Sequence, residues 1–345
     1  MAAYRSAIWP KRRLVLSKRI NRYRLLYCKN CRKYCLYLQD CKIARYKRFS
    51  LEKIRVLVYN KASKNGDLNM KIKYLGTGAC EGIPSLYCKC FVCENARKKL
   101  GKEIRTRTGF IFDEKIAIDF SPDSFYNMIR HGIDFARIEH LLISHSHEDH
   151  FYPDDIVLRT PLHPEGVAPK LTLYGNDEVI KRFYSVRFIN ENTYKYVETK
   201  TISCDHTYDI AGYSVTPFYT EHMPDENSMI FLIRKDNKAY LHLLDSAEPT
   251  DKVYEFLQKN GIVLNAVTFD CTFGSTKEEF YGHMNIRQNV RVRDKLKADG
   301  NLAENAPCVC SHVSHYNATD SHERLGKIAE ENGLILAYDG METEF

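Results

Sequence analysis

The apolar run Leu141-Leu142-Ile143 ends abruptly in Ser144-His145-Ser146-His147-Glu148-Asp149-His150. No other stretch restricts the fold as sharply, because a strand that stops in three histidines and a carboxylate must stop where those groups can converge. Imidazole nitrogen and carboxylate oxygen are ligands for zinc and similar divalent ions. Residues two apart on an extended chain point the same way, so His145 and His147 can hold one ion. Asp149 and His150, where the chain turns off the strand, can reach a second ion nearby. A polar loop with a chance run of histidines is the competing reading, and it asks nothing of the rest of the chain. The metal reading does. An H-x-H-x-D-H turn leaves two ions short of ligands, so further donors are expected at other strand ends.

Strand-like runs recur from residues 71–75 to residues 334–338, among them 213–219, 240–244 and 307–310. His222 follows the first of these three, Asp245 the second and His312 the third. Each donor stands where an apolar strand stops, which is how a sheet delivers ligands to one edge. Helices are expected between the strands. One covers 251–259, with Thr250 as N-cap, Val253, Phe256 and Leu257 on one face, and Gly261 just past its end. Another covers 321–331, with Asp320 and Glu323 as a capping box and Gly333 as the stop. Many short strands separated by helices predict an α/β chain of two sheets packed face to face and covered by helices.

The net charge of +7 joins two unlike regions. Residues 1–69 hold 19 Lys and Arg against 3 Asp and Glu, a net of +16, whereas residues 70–345 hold 32 against 41, a net of −9. The first region reads either as a basic arm for nucleic acid or an anionic surface, or as a disordered or artefactual extension ahead of a start at Met70. Its Cys28, Cys31, Cys35 and Cys41 begin with C-x-x-C but lack a second pair at finger-like spacing. Residues 70–345 are expected to form one domain. No apolar run of about 18 residues suggests a membrane span, and no secretory signal is recognisable. A cytoplasmic protein without membrane partners is therefore expected, its cysteines reduced. Cys80, Cys204, Cys271, Cys308 and Cys310 read as core residues. His131, His140, His163, His206, His242 and His322 read as surface or core residues, and the frequent Tyr and Phe as core.

The order H-x-H-x-D-H, His222, Asp245, His312 resembles the metallo-β-lactamase superfamily over residues 70–345. The resemblance implies an αββα sandwich: two mixed β-sheets, helices on the outer faces and two divalent ions between the sheets. It implies one ion on His145, His147 and His222, another on Asp149, His150 and His312, and Asp245 bridging. Two dications would leave the site positive and suited to an anionic substrate.

A second cluster lies in Cys88-Lys89-Cys90-Phe91-Val92-Cys93, after Leu75-Gly76-Thr77-Gly78-Ala79 and Gly82-Ile83-Pro84. C-x-C-x-x-C offers three of the four ligands of a closed zinc site, and His315, three residues after His312, is the natural fourth. A redox role for these thiols is the alternative. With Asp270-Cys271 and Asp339-Gly340-Met341-Glu342, the pattern resembles the PhnP-like phosphoribosyl 1,2-cyclic phosphate phosphodiesterases. That resemblance implies a further active-site histidine at His283.

The expected function is hydrolysis of a small cyclic phosphodiester by a hydroxide bridging two zinc or manganese ions, with Asp149 and His283 in the catalytic set and a separate structural zinc. A 2′,3′-cyclic nucleotide or oligonucleotide-end phosphodiesterase is the alternative within the superfamily, and a metal-bound carrier is the alternative outside catalysis. Large nucleic acids are not expected partners of the acidic domain. A homodimer is left open.

Overall fold

The computed structural model describes residues 17–20, 23–28, 33–38, 69–160, 168–223, 225–316 and 320–345. Three N-terminal strands, β1 (Ser17–Ile20), β2 (Tyr23–Cys28) and β3 (Lys33–Leu38), pair antiparallel in that order. No strand period was legible there, although β2 and β3 are rich in Tyr and Leu, which suit a pleated surface. The expectation of a disordered or artefactual extension otherwise falls on residues outside the described ones, as do Cys31 and Cys41 of the Cys28, Cys31, Cys35 and Cys41 set. Residues 69–345 form one compact unit.

That unit contains two seven-stranded mixed sheets. The first begins with β4 (Lys71–Gly76), β5 (Gly109–Phe112) and β6 (Ile116–Ile118), and continues through β7 (His140–Leu142), β8 (Leu171–Gly175) and β9 (Val197–Thr201). The second holds β10 (Tyr208–Ile210), β11 (Tyr213–Tyr219), β12 (Met229–Lys235), β13 (Lys238–Leu243), β14 (Ala266–Asp270), β15 (Cys308–Ser311) and β16 (Ile335–Leu336). A final strand, β17 (Glu342–Glu344), returns to the first sheet and pairs antiparallel with β4. In both sheets the antiparallel part gives way to parallel strands, β6 to β9 in one and β13 to β16 in the other. Ligands of such sheets gather at the carboxyl ends of parallel strands. Here those ends carry Asp119, His145, Asp245, Asp270 and His312.

Burial explains the layers. Ile72, Tyr74, Phe110, Phe112 and Ile118 of the first sheet meet Tyr213, Val215, Phe231, Ile233 and Tyr240 of the second in one core. Phe112 lies edge-on to Tyr213 and stacks on Tyr240. The outer face of the second sheet is covered by the helices Asp251–Lys259, Ile286–Ala298 and His322–Glu331. The outer face of the first packs on Phe151, Ile156, Val179 and Phe183. This is the expected helix–sheet–sheet–helix sandwich of an α/β chain.

Local expectations were met unevenly. Helix Asp251–Lys259 has the expected ends, but Tyr254 is buried with Val253 and Leu257 while Phe256 is only partly covered, against Phe218. Ser321, not Asp320, caps His322–Glu331 by accepting from the Arg324 amide. The Asp320 carboxylate is drawn instead to Ser275 and Arg324. The glycine-rich loop after β4 is tied down from the far end of the chain: Asp339 accepts from Thr77 N and Oγ1 through one oxygen and from Thr106 N and Oγ1 through the other. Gly76 is required there, since a Cβ would lie 1.9 Å from the Arg107 carbonyl oxygen. Among the described residues, no helix is long and apolar enough to cross a membrane.

Candidate metal centre

β7 ends at Leu142, and the next residues turn so that His147 and Asp149 line the cleft between the sheet edges while His145 and His150 lie buried beneath it. The structure brings these four together with His222, Asp245 and His312. Two groups of donor atoms result, each mutually within 4.8 Å: His145, His147, His222 and Asp245, and Asp149, His150, Asp245 and His312. Asp245 is common to both. Its Oδ2 lies 3.1 Å from His145 Nε2, 3.0 Å from His222 Nε2 and 3.2 Å from His150 Nε2, while its buried Oδ1 has no hydrogen-bond partner. Nitrogens face nitrogens: His145 Nε2 and His147 Nδ1 are 2.9 Å apart, and His150 Nε2 and His312 Nε2 are 3.2 Å apart. Lone pairs so aimed at one another are costly without a cation between them.

The outward nitrogens show why the inward ones are free. His150 Nδ1 is 2.7 Å from Asp119 Oδ2, and Asp119 also accepts from the Ser144 amide. His312 Nδ1 is 2.8 Å from Thr272 Oγ1, and His222 Nδ1 is 3.3 Å from the Gly282 carbonyl oxygen. Partners of this kind fix tautomer and ring orientation in metal-ligating histidines. His147 differs, turning Nδ1 rather than Nε2 inward. Three of the residues, Asp119, Asp245 and His312, have left-handed backbones with φ of 59°, 46° and 60°. Strain of this kind is kept where the surroundings over-determine it. An Asp119→Ala protein is expected to bind the ion nearer His150 some 10- to 100-fold more weakly, the usual cost of losing an outer partner. Metal titration checks this, and an unchanged affinity would show that Asp119 does not orient His150.

The charges point the same way. Burial would raise the Asp245 carboxyl, yet the imidazoles of His312 and His222 hold it well below the usual carboxylate range. Burial would lower His312, but Asp245 and the other facing carboxylates bring it up to about 9. His145, buried and beside His150, is driven down to about 4. The cluster thus draws positive charge from some histidines and denies it to others, a demand that divalent cations satisfy directly.

His283 joins this centre from the loop before helix Ile286–Ala298. Its Nδ1 is 3.0 Å from Asp245 Oδ1 and 3.2 Å from Asp270 Oδ2. Burial opposes its proton, but the two carboxylates, Asp270 foremost, push it up to about 10. Asp245, Asp270, His283 and His312 also lie within metal-holding distance of one another.

The second cluster assembles beside the first. The donors of Cys88, Cys90, Cys93 and His315 are mutually within 4.8 Å, and His315 Nδ1 is 3.5 Å from Cys88 Sγ and 3.6 Å from Cys90 Sγ. Backbone amides of Ser85 and Cys90 donate to the sulfurs of Cys93 and Cys88, contacts that suit thiolates bound to zinc.

Sequence reasoning missed Asp119, Thr272, Arg107, Arg182 and Glu81. Of these, Arg107, Arg182, Glu81 and Thr272 line the cleft of about 980 Å³ over the centre. Asp119 alone left a signal, a carboxylate directly after the apolar strand 116–118. Two expectations need correction. Cys80 is an exposed cleft residue, not a core one, because it lies in the loop beyond β4, and Cys204 is only half-buried. The aromatics are not all core either: Tyr316 is 67% exposed and lines the cleft with Phe273 and Tyr152. His242 and His322 stay outside the centre. His242 is buried in β13, and His322 Nδ1 accepts from Arg105.

The family model for the anti-Pycsar protein Apyc1 matches residues 111–302. An octanoyltransferase of Porphyromonas gingivalis (strain ATCC BAA-308 / W83) is 33% identical over 85 residues, 24% of this chain, and the chain spans 16% of that relative's length. Among solved structures, a diphosphatase from the PhnP family has a TM-score of 0.59 and 24% identity, covering 80% of this chain and 98% of its own. Zn²⁺-bound PqqB from Methylobacterium extorquens has a TM-score of 0.60 and 19% identity, covering 80% of this chain and 100% of its own. These structures share the sandwich fold.

Proposed function

This chain belongs to the anti-Pycsar Apyc1 family and has the metallo-β-lactamase fold, and we propose that it is a metal-dependent phosphodiesterase of small cyclic phosphodiesters, cyclic nucleotides in particular. The observation that carries the reading is the pair of four-donor groups sharing Asp245 at the floor of an open cleft. Two divalent ions held there, zinc or manganese, would acidify a water for attack and offset the charge that builds on the phosphate. The family supports a cyclic nucleotide over the phosphoribosyl cyclic phosphate suggested by the PhnP-like motifs. The cleft volume accommodates a nucleotide-sized ligand, and the acidic balance of residues 70–345 disfavours a long polyanion.

The protein's own groups then have separate tasks. Asp245 sets the spacing of the two donor groups. Asp119 and Thr272 keep His150 and His312 with their Nε2 atoms inward. Asp270 accepts the His283 Nδ1 proton, which leaves Nε2 for a substrate oxygen. As the bond from phosphorus to the sugar oxygen breaks, that oxygen needs a proton, and His283 is placed to donate it. The Cys88, Cys90, Cys93 and His315 group would hold a structural zinc that secures the N-terminal loop against the segment bearing His312.

Purified protein supplied with Mn²⁺ or Zn²⁺ is expected to hydrolyse bis(p-nitrophenyl) phosphate, and a chelator is expected to stop it. Cyclic nucleotides are then expected to be hydrolysed in preference to ribose 1,2-cyclic phosphates. A rate no higher than the metal-free blank on every ester would favour the carrier reading.

A further inference from the structure

Glu81 has no part in the centre described above, yet it lies on the cleft wall within the loop that joins β4 to the C-x-C-x-x-C segment. The loop is fixed at this point by Gly82, whose φ is 64° and where an added Cβ would come within 3.2 Å of the Arg105 carbonyl oxygen. Residues 312–316, opposite, carry three fixed points in succession: His312 at the metal centre, Ser314, and His315 at the cysteine cluster. Ser314 Oγ donates to Glu81 Oε1 and accepts from the Tyr316 amide. His315 Nε2 lies 3.6 Å from the same oxygen. One oxygen of the carboxylate is therefore clamped. The other, Oε2, has one hydrogen-bond partner among the described residues, the Cys80 thiol at 3.2 Å. A thiol is a weak donor, and Cys80 is itself an exposed cleft residue.

A carboxylate oxygen anchored on a cleft wall, 22% exposed and with a weak thiol as its one protein partner among the described residues, is an acceptor that a ligand's hydroxyl can take over from water. Building on the phosphodiesterase reading, we propose that Glu81 is a specificity-determining residue that accepts a hydrogen bond from the free sugar hydroxyl beside the cyclic phosphate. In a 3′,5′-cyclic nucleotide that group is the 2′-hydroxyl. The substrate class is then cyclic ribonucleotides, selected over their 2′-deoxy counterparts. The competing role, a partner that merely orients His315 on its zinc, predicts no discrimination between the two sugars.

The test compares kcat/KM on a 3′,5′-cyclic ribonucleotide and on its 2′-deoxy analogue, for wild type, Glu81→Gln and Glu81→Leu, with metal content measured on each protein. Wild type is expected to prefer the ribose by about tenfold or more, since sites built to bond a hydroxyl reject analogues that lack it. Glu81→Leu is expected to bring the ratio near one by losing activity on the ribonucleotide alone. Glu81→Gln, which keeps a neutral acceptor, is expected to fall between. All three are expected to keep the same metal content. The same ratio in wild type and Glu81→Leu overturns the assignment while leaving the phosphodiesterase reading intact. Loss of one metal equivalent from both variants overturns it in favour of the zinc-orienting role. A wild type inactive on every cyclic nucleotide overturns the parent reading and this assignment with it.

Discussion

An Asp245→Asn protein is expected to lose phosphodiesterase activity by on the order of a thousandfold or more and to retain less than one tightly bound ion in the active-site cleft. Among the described residues, no other contacts both donor groups so closely: Asp245 Oδ2 lies within 3.2 Å of His145, His222 and His150 at once. Asparagine is the informative change because Asp245 has a φ of 46°, and asparagine tolerates that conformation where alanine would add strain. The charge is removed and the shape retained. The measurements are metal content after desalting, the rate on bis(p-nitrophenyl) phosphate, and circular dichroism to establish that the fold persists. Two ions retained by a folded variant would show that the bridging role lies elsewhere.

His283→Ala is expected to separate chemistry from metal binding. The variant should keep the metal content of wild type and lose about 10²- to 10⁴-fold in turnover, the range for a positioned general acid or base. The loss should be smaller on bis(p-nitrophenyl) phosphate, whose nitrophenolate departs without a proton, than on a cyclic nucleotide, whose sugar alkoxide needs one. An equal loss on both esters would remove the acid role. Loss of metal would make His283 a ligand, an arrangement that the spacing of Asp245, Asp270, His283 and His312 also permits.

The parts of this protein legible in the sequence were those in which chemistry and strand ends coincide. His145, His147, Asp149 and His150 announce themselves because imidazole and carboxylate rarely cluster after an apolar run. His222, Asp245 and His312 follow because two ions require more donors than one turn provides. The two-sheet sandwich was legible from its many short strands, and β11 was found with both of its ends in place. Short edge strands such as β9, β10 and β17 were not, since their exposure alternates weakly and charged residues occupy them. Asp119 was hidden for another reason. A lone carboxylate after a strand is ordinary in sequence, and only the approach of His150 from 31 residues away gives it a task. Glu81 and Cys80 were misjudged or passed over because exposure in a loop depends on what packs opposite, here residues 312–316.

The way β17 closes against β4 has a consequence for the order in which the protein can be made. Met70 and Phe345 exchange backbone hydrogen bonds of 3.0 and 3.1 Å, so β4 receives its outer neighbour from a strand synthesised long after it. The same holds for the metal centre, where His145 to His150 emerge from a ribosome well before His312. During synthesis the nascent chain therefore carries an open strand edge and a half-built ligand set together. Such an edge invites pairing with other chains, and the ligand set has least affinity for the ion that would steady it. A chain cut before residue 342 would keep that edge exposed, so truncation ahead of β17 should yield aggregation, which light scattering of the truncated protein checks.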